Sequence, residues 1–315
     1  MVKLIISPTA GMCNRFRVLS SYIAYGLRMN FEIYICWGDT VSTCIYPNQQ
    51  EYMRMQNRKF TDFFEESFPQ PNVNEISPNI IYTEWLPIDE WYKFQSDGQK
   101  QWLSRGLRSK LIKIKDSLPA ITRITTKDDV KDVTILVETS IALKSYINEN
   151  GERIFITEQD MHEIYNKYLI PKQKYLDYLN NLEETNIGIS IRGGEFLNAY
   201  PETKYLFAPG NLTLLDWLFK IGQRKTITLF SDDHFFRDAI IFQYNYLRKN
   251  LGINTTIQTL NSVELNSVKM EKWEMPFIEF LYLAKKTSLI YGTPESSFAE
   301  QASIYGNKPY KHIIS

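Results

Sequence analysis

Cysteine and histidine are scarce in this sequence, and there is no excess of charge of either sign. The three cysteines, Cys13, Cys36 and Cys44, are an odd number without zinc-module spacing. That excludes a disulfide framework as the basis of the fold. Three histidines in the whole chain leave no second group of ligands to complete a metal site beside Asp232, Asp233 and His234. No Asp-x-Asp pair occurs, which argues against a diphosphate clamped through a divalent cation. Lys and Arg number 36, equal to Asp and Glu, so the chain lacks the basic excess of a general nucleic-acid binder. A neutral total still allows a basic pocket in one cleft. No stretch has the length and apolar character of a transmembrane span. Met1 to Ser7 is too short for the apolar core of a secretory leader and reads as a strand. The expectation is a cytoplasmic protein, with Asn211 and Asn254 as accidental glycosylation sequons. Surface aromatics leave contact with a membrane face open.

The chain does have a globular balance, with 43% hydrophobic and 23% charged residues over a length sufficient for two cores. A buried strand over residues 2–7 leads past Gly11 into a helix from Asn14 to Met29, whose apolar face is Phe16, Leu19, Ile23 and Leu27. Phe31 to Cys36 is a second strand, so the chain opens β-α-β. Residues 37–130 are less regular, with candidate helices at Phe60–Ser67 and Lys100–Ser117, before a strand at Val133–Val137. Helical pattern from Glu158 to Glu184 is broken at Pro171, which cannot donate to a helix and marks a domain junction. The division expected is residues 1–168 and residues 169–315. In the second part, strands at Ile187–Ile191, Thr226–Phe230, Ile253–Leu260 and Leu289–Tyr291 alternate with helices at Leu212–Ile221, Phe235–Leu251, Pro276–Lys286 and Phe298–Tyr305. Alternation with short links predicts an α/β fold with a parallel sheet covered on both faces.

Four segments can carry chemistry, and each also has a plain structural reading. Gly11-Met12-Cys13-Asn14-Arg15 follows the first strand and opens a helix. It is either a ligand-approaching turn or a simple turn capped by Asn14. Arg192 ends an apolar strand and precedes Gly193, Gly194 and Glu195. Its planar guanidinium suits a diphosphate, or else pairs with a surface carboxylate. Asp232 and Asp233 end another strand, where they bind a base or ribose, or cap the helix from Phe235. Thr293, Ser296 and Ser297 form a hydroxyl-rich turn before Phe298, either an anion nest at a helix N-terminus or a serine cap. Taken together, these segments describe a cleft between two Rossmann-like domains.

These segments, in this order, resemble the GT-B fucosyltransferase superfamily, which includes α-1,6-, α-1,2- and protein O-fucosyltransferases. The family's Gly-x-x-Asn/Asp-Arg turn is matched by Gly11, Asn14 and Arg15. Ile33-Tyr34-Ile35-Cys36-Trp37 and Phe60-Thr61-Asp62-Phe63-Phe64-Glu65 look like its strand ending in Trp and its aromatic acidic helix. Its His-x-Arg strand is matched at Arg192, with Ser190 in place of the histidine, and its Arg/Gly-Asp is Gly194-Glu195 here. Ser231-Asp232-Asp233 and the block from Glu279 to Gly292-Thr293-Pro294-Glu295-Ser296-Ser297-Phe298 are similar to its last two motifs.

The resemblance implies a metal-independent, inverting glycosyltransferase that moves fucose from GDP-fucose to a glycan hydroxyl. No cofactor is implied beyond the sugar nucleotide. Arg192 would hold the β-phosphate, Ser296 and Ser297 the diphosphate, and Glu279 the guanine edge. Gly11, Arg15, Asp232, Asp233, Thr293 and Phe298 would complete the donor site, and Asn14 would sit near the sugar and acceptor. Glu195 and Asp39 are candidates for the base that activates the acceptor hydroxyl. Ser190 and Glu195 depart from the family pattern. They leave open another GDP- or UDP-sugar as donor, or an inactive nucleotide- or glycan-binding protein.

Overall fold

The computed structural model describes residues 2–8, 11–37, 58–71, 80–83, 111–113, 133–148, 150–192, 212–223, 225–253, 255–260, 264–265, 268–294 and 296–313. The chain separates into two compact units, Met1–Lys172 and Gln173–Ser315.

The first unit is built on a parallel five-stranded sheet. Its strands are β1 (Val2–Pro8), β2 (Glu32–Ile35), β3 (Ile80–Thr83), β4 (Leu111–Lys113) and β5 (Val133–Thr139), in the order β2-β1-β5-β3-β4. β1 is an interior strand and pairs with β2 at Ile5↔Tyr34 and with β5 at Ile5↔Leu136. It is covered on both faces, which is why it reads as an unbroken apolar run: Leu4, Ile5 and Ile6 are all buried. Helix α1 (Met12–Arg28) lies against this sheet through Phe16, Leu19 and Ile23. Leu27, expected on its buried face, is exposed.

Two expected helices of this unit come out differently. The Phe60–Ser67 helix is a single turn, α2 (Phe60–Phe63), because Phe64 leaves helical geometry to bridge Pro171. Within Lys100–Ser117 the described residues form β4, hydrogen-bonded in parallel to β3 at Tyr82↔Ile112. Partner strands remote in sequence decide that segment, and helical propensity does not. A hairpin of β6 (Ser145–Ile147) and β7 (Arg153–Phe155) leads to α3 (Glu158–Tyr168). Thr157 and Asp160 cap α3 reciprocally.

The second unit begins with α4 (Gln173–Asn180) and follows the predicted alternation: β8 (Thr185–Ile191), α5 (Leu212–Ile221), β9 (Thr226–Ser231), α6 (His234–Leu251), β10 (Thr256–Gln258). A short antiparallel pair, β11 (Glu264–Leu265) and β12 (Val268–Lys269), precedes α7 (Met275–Lys286), β13 (Thr287–Gly292), α8 (Ser297–Gly306) and β14 (Tyr310–His312). The five-stranded sheet is parallel throughout, in the order β10-β9-β8-β13-β14. Ile187, Ile189 and Ile191 of β8 pack with Leu214, Leu215 and Leu218 of α5 and with Phe236, Ile240 and Tyr244 of α6. On the other face, α7 and α8 touch so closely that a Cβ on Gly306 would lie 2.0 Å from the Ala284 carbonyl oxygen. Buried Glu274 ties α4 to the turn before α7. It accepts from Lys174 Nζ at 2.5 Å and from the Tyr175 hydroxyl at 2.7 Å.

Candidate functional site

The strand order of the second unit reverses between β8 and β13. From β8 the chain moves outward to β9 and β10, then returns to the opposite side for β13 and β14. In open parallel sheets the loops leaving the two strands at such a switch diverge, and the crevice beyond their carboxyl ends receives ligands. Arg192 is the residue after β8, and Thr293 is the residue after β13. The two are joined directly. The Arg192 backbone N–H donates to Thr293 Oγ1 at 2.9 Å, and the Thr293 N–H donates to the Ser190 carbonyl at 3.2 Å. With its backbone held this way, Arg192 extends a half-exposed side chain whose Nε lies 3.1 Å from Asp232 Oδ2. Asp232 follows β9 and is itself 45% exposed, so the pair stands in reach of solvent.

The turn after Thr293 closes by a hydrogen bond from the Ser296 N–H to the Thr293 carbonyl at 3.1 Å. Ser296 is the N-cap residue of α8, but its side chain accepts no hydrogen bond from the helix. Its Oγ is buried and finds no hydrogen-bond partner among the described residues. An orphaned buried hydroxyl costs about 1–3 kcal/mol, and here it sits where α8 presents its unsatisfied N–H groups. Serine capping therefore does not account for Ser296. Ser297, the first residue of α8, and Phe298 are partly buried, and Phe298 meets Phe280 edge-on at 6.0 Å.

Asp233 has a different role from its neighbour. It is the N-cap of α6, and its carboxylate accepts from the Phe236 N–H at 2.9 Å. Of the two readings of this residue, helix capping is the one its geometry carries. Glu279, on α7, faces the same end of the sheet. Burial pushes its carboxyl up to about 7; Arg237 opposes that shift and Asp232 adds to it. Arg237 escaped the sequence reading. It is buried in the first turn of α6, with Nε 2.8 Å from Asp238 Oδ1. The signal for it was present: Arg237, Ile240 and Tyr244 share one helical face, and all three are buried. The second unit thus brings together Arg192, Asp232, Glu279, Thr293 and Ser296, with Arg237 behind them.

In the first unit, Gly11 is the N-cap of α1 and Asn14 lies within the helix. The expected Asn14 cap does not form, because α1 begins at Met12, two residues earlier than predicted. Gly11 has ordinary extended backbone, and a Cβ there would meet nothing within 4 Å. Neither strain nor crowding from described residues calls for glycine at this place. Arg15 is fully buried with its guanidinium 5.1 Å from the Trp37 ring centroid, and burial lowers its pKa to about 10. Trp37 in turn touches Phe16, Phe60 and Phe63, so the two aromatic segments singled out in the sequence form one cluster. Glu195 and Asp39, the candidate bases, lie outside the described residues. Among the described residues, no group of three or more His, Cys, Asp and Glu is gathered to hold a metal ion. None of the described helices is long and apolar enough to cross a membrane.

Two parallel sheets, the second with a switch point between β8 and β13, define a Rossmann-like α/β class of fold. No protein-family model and no curated protein sequence matches the chain. Solved structures do. POFUT1 in complex with GDP is 11% identical, with a TM-score of 0.54 over 99% of this chain and 98% of that one. NodZ α-1,6-fucosyltransferase soaked with GDP-fucose is 16% identical, with a TM-score of 0.53 over 97% and 93%. Fucosyltransferase NodZ from Bradyrhizobium is 15% identical, with a TM-score of 0.50 over 96% and 92%. The fold is fucosyltransferase-like.

Proposed function

We propose that the protein is a GT-B glycosyltransferase that moves fucose from GDP-fucose to a glycan hydroxyl, without a metal and with inversion at the anomeric carbon. On this reading residues 1–168 form the acceptor-side domain and residues 169–315 the donor domain. The observation that supports it is the polar end of the β8–β13 switch: Arg192, held through its backbone to Thr293, and the orphaned Ser296 hydroxyl at the start of α8 in the turn that follows Thr293. A diphosphate supplies acceptors to both, and displaces the solvent-accessible Asp232 from Arg192. The fold likeness to structures that hold GDP or GDP-fucose supports the choice of donor.

The chemistry follows from where charge develops. Sugar transfer passes through an oxocarbenium-like state as the diphosphate departs. Negative charge grows on the leaving β-phosphate, and groups already aimed there lower the barrier. Arg192 provides the fork, Ser296 and Ser297 the hydroxyls, and the α8 N-terminus its dipole. Glu279, when ionised, accepts the two N–H groups along the guanine edge. Glu195 or Asp39 takes the acceptor proton.

A donor screen tests this reading. GDP is expected to raise the melting temperature more than equal concentrations of UDP, ADP or CDP, because binding to the native state stabilises it by mass action. GDP-fucose is expected to release GDP slowly without acceptor and faster with one. A larger shift with UDP removes GDP-fucose as donor, and GDP binding without any release makes the protein a binding protein.

A further inference from the structure

From Met12 to Gly26 every residue of α1 is buried except Asn14 and Arg17. The two stand three apart and share one face of the helix. They form a single polar line on an otherwise enclosed helix. The helix starts at the carboxyl end of the first sheet, where Pro8 of β1 pairs with Thr139 of β5. Beyond that pair the chain diverges: β1 continues through α1 to β2, and β5 leaves the sheet for β6. Divergence of this kind opens a crevice at the end of a parallel sheet. Side chains on a helix lean toward its N-terminus, here toward that end. Arg17 accordingly reaches Ser140, the residue after β5, and its Nε donates to the Ser140 carbonyl at 2.8 Å.

Holding the loop after β5 is one role for Arg17, but other groups already hold it. Ser21 Oγ accepts from the Leu143 N–H at 2.9 Å, and Thr139 Oγ1 accepts from the Ile141 N–H at 2.9 Å. The bond to Ser140 uses Nε alone. It fixes the plane of the guanidinium and leaves both terminal amino groups without a partner among the described residues. No described carboxylate pairs with this half-buried cation. A charge drawn partly out of water is stabilised by an opposite charge. An oriented guanidinium fork matches the two oxygens of a carboxylate or a phosphate.

We propose that Arg17 binds an oxyanion carried by the acceptor, either the carboxylate of an acidic sugar or a phosphate on the glycoconjugate, with the Asn14 carboxamide on the hydroxyls beside it. The proposal rests on the reading of the first unit as the acceptor side. On that reading the donor diphosphate is taken by Arg192 and the Ser296 turn of the second unit, so the cation on α1 serves a second anion. A neutral acceptor leaves that cation without its counter-charge, and an acidic one supplies it. The acceptor is therefore selected by charge as well as by shape.

Ligand-observed NMR titration of the full chain tests this with methyl β-glucoside, its uronic acid and its primary phosphate ester, which share one ring and differ at a single position. At least one acid should bind about tenfold or more tighter than the neutral glycoside, because hydrogen bonds to a charged group are the stronger ones. Which acid binds tighter separates a carboxylate from a phosphate. Arg17→Gln should remove the preference and leave GDP affinity unchanged, and Arg192→Ala should leave the preference in place. Equal binding of all three, or no binding of any, overturns the proposal. So does a preference that survives Arg17→Gln or is lost in Arg192→Ala. Weaker GDP binding in Arg17→Gln puts Arg17 on the donor and overturns it as well. The ligand comparison on the wild type decides even where a variant folds poorly. Turnover of GDP-fucose is followed separately. An acid preference without turnover keeps the site and counts against the transferase reading, and turnover without the preference does the reverse.

Discussion

Arg192→Ala removes a guanidinium from the end of β8 and leaves the strand's own bonds in place. The hydrogen bond that holds this position runs from the Arg192 backbone N–H to Thr293 Oγ1, and alanine keeps it. The side chain's ion pair with Asp232 joins groups that are 40% and 45% exposed. Pairs of that kind contribute about 0–1 kcal/mol. At about 2–4 °C per kcal/mol for a domain of this size, the melting temperature should fall by no more than about 4 °C. The cost to catalysis is far larger. One preorganised donor to a developing oxyanion is worth about a hundredfold to a thousandfold, or about 2.7–4 kcal/mol. That interaction strengthens as the diphosphate leaves, so the loss should fall mainly on kcat. Arg192→Lys should recover part of it, since an ammonium keeps the charge but not the two-pronged contact. The assay is initial-rate GDP release at saturating GDP-fucose, with thermal melting on the same preparation. A variant whose melting temperature drops steeply while its folded fraction turns over near the wild-type rate refutes the reasoning and makes Arg192 structural.

Other substitutions separate site from scaffold. Ser296→Ala should leave stability unchanged or raised, because it deletes a buried hydroxyl without a partner, while weakening GDP binding by about 0.5–1.5 kcal/mol in a calorimetric titration; a marked loss of stability would show that Ser296 has a structural partner. Glu279→Gln should stabilise the protein above neutral pH and not at about pH 5. The folded state holds the Glu279 proton up to about 7, so stability declines as pH rises from the ordinary carboxylate value of 4.5 through that point. A melting gain that is equal at both pH values would contradict the buried carboxyl, and unchanged GDP affinity above neutral pH would remove Glu279 from the guanine site. Gly306→Ala should cost at least about 1–3 kcal/mol by overpacking, since the obstacle is the Ala284 backbone carbonyl at 2.0 Å and not a side chain that can rotate; chemical denaturation checks it, and a neutral result would mean that α7 and α8 slide apart freely.

Local pattern decided most of the second unit. Strands β8, β9 and β13, and helices α5, α6, α7 and α8, have ends within two residues of where periodicity and punctuation put them. Their apolar faces repeat at 2.0 or 3.6 residues, and that spacing is carried by neighbours in the chain. Arg192, Thr293 and Ser296 were legible for the same reason, as polar residues at the ends of apolar strands. Three things were not legible. β14 and β4 are strands only because a partner lies beside them, β13 in one case and β3 in the other. The roles of the two aspartates after β9 divide because Asp233 reaches the Phe236 N–H and Asp232 reaches Arg192. Arg192 and Thr293 are 101 residues apart, and only the order of the sheet makes them neighbours. Periodicity states which face of an element is buried; which elements share a crevice depends on strand order, and strand order is set by packing between segments remote in the chain.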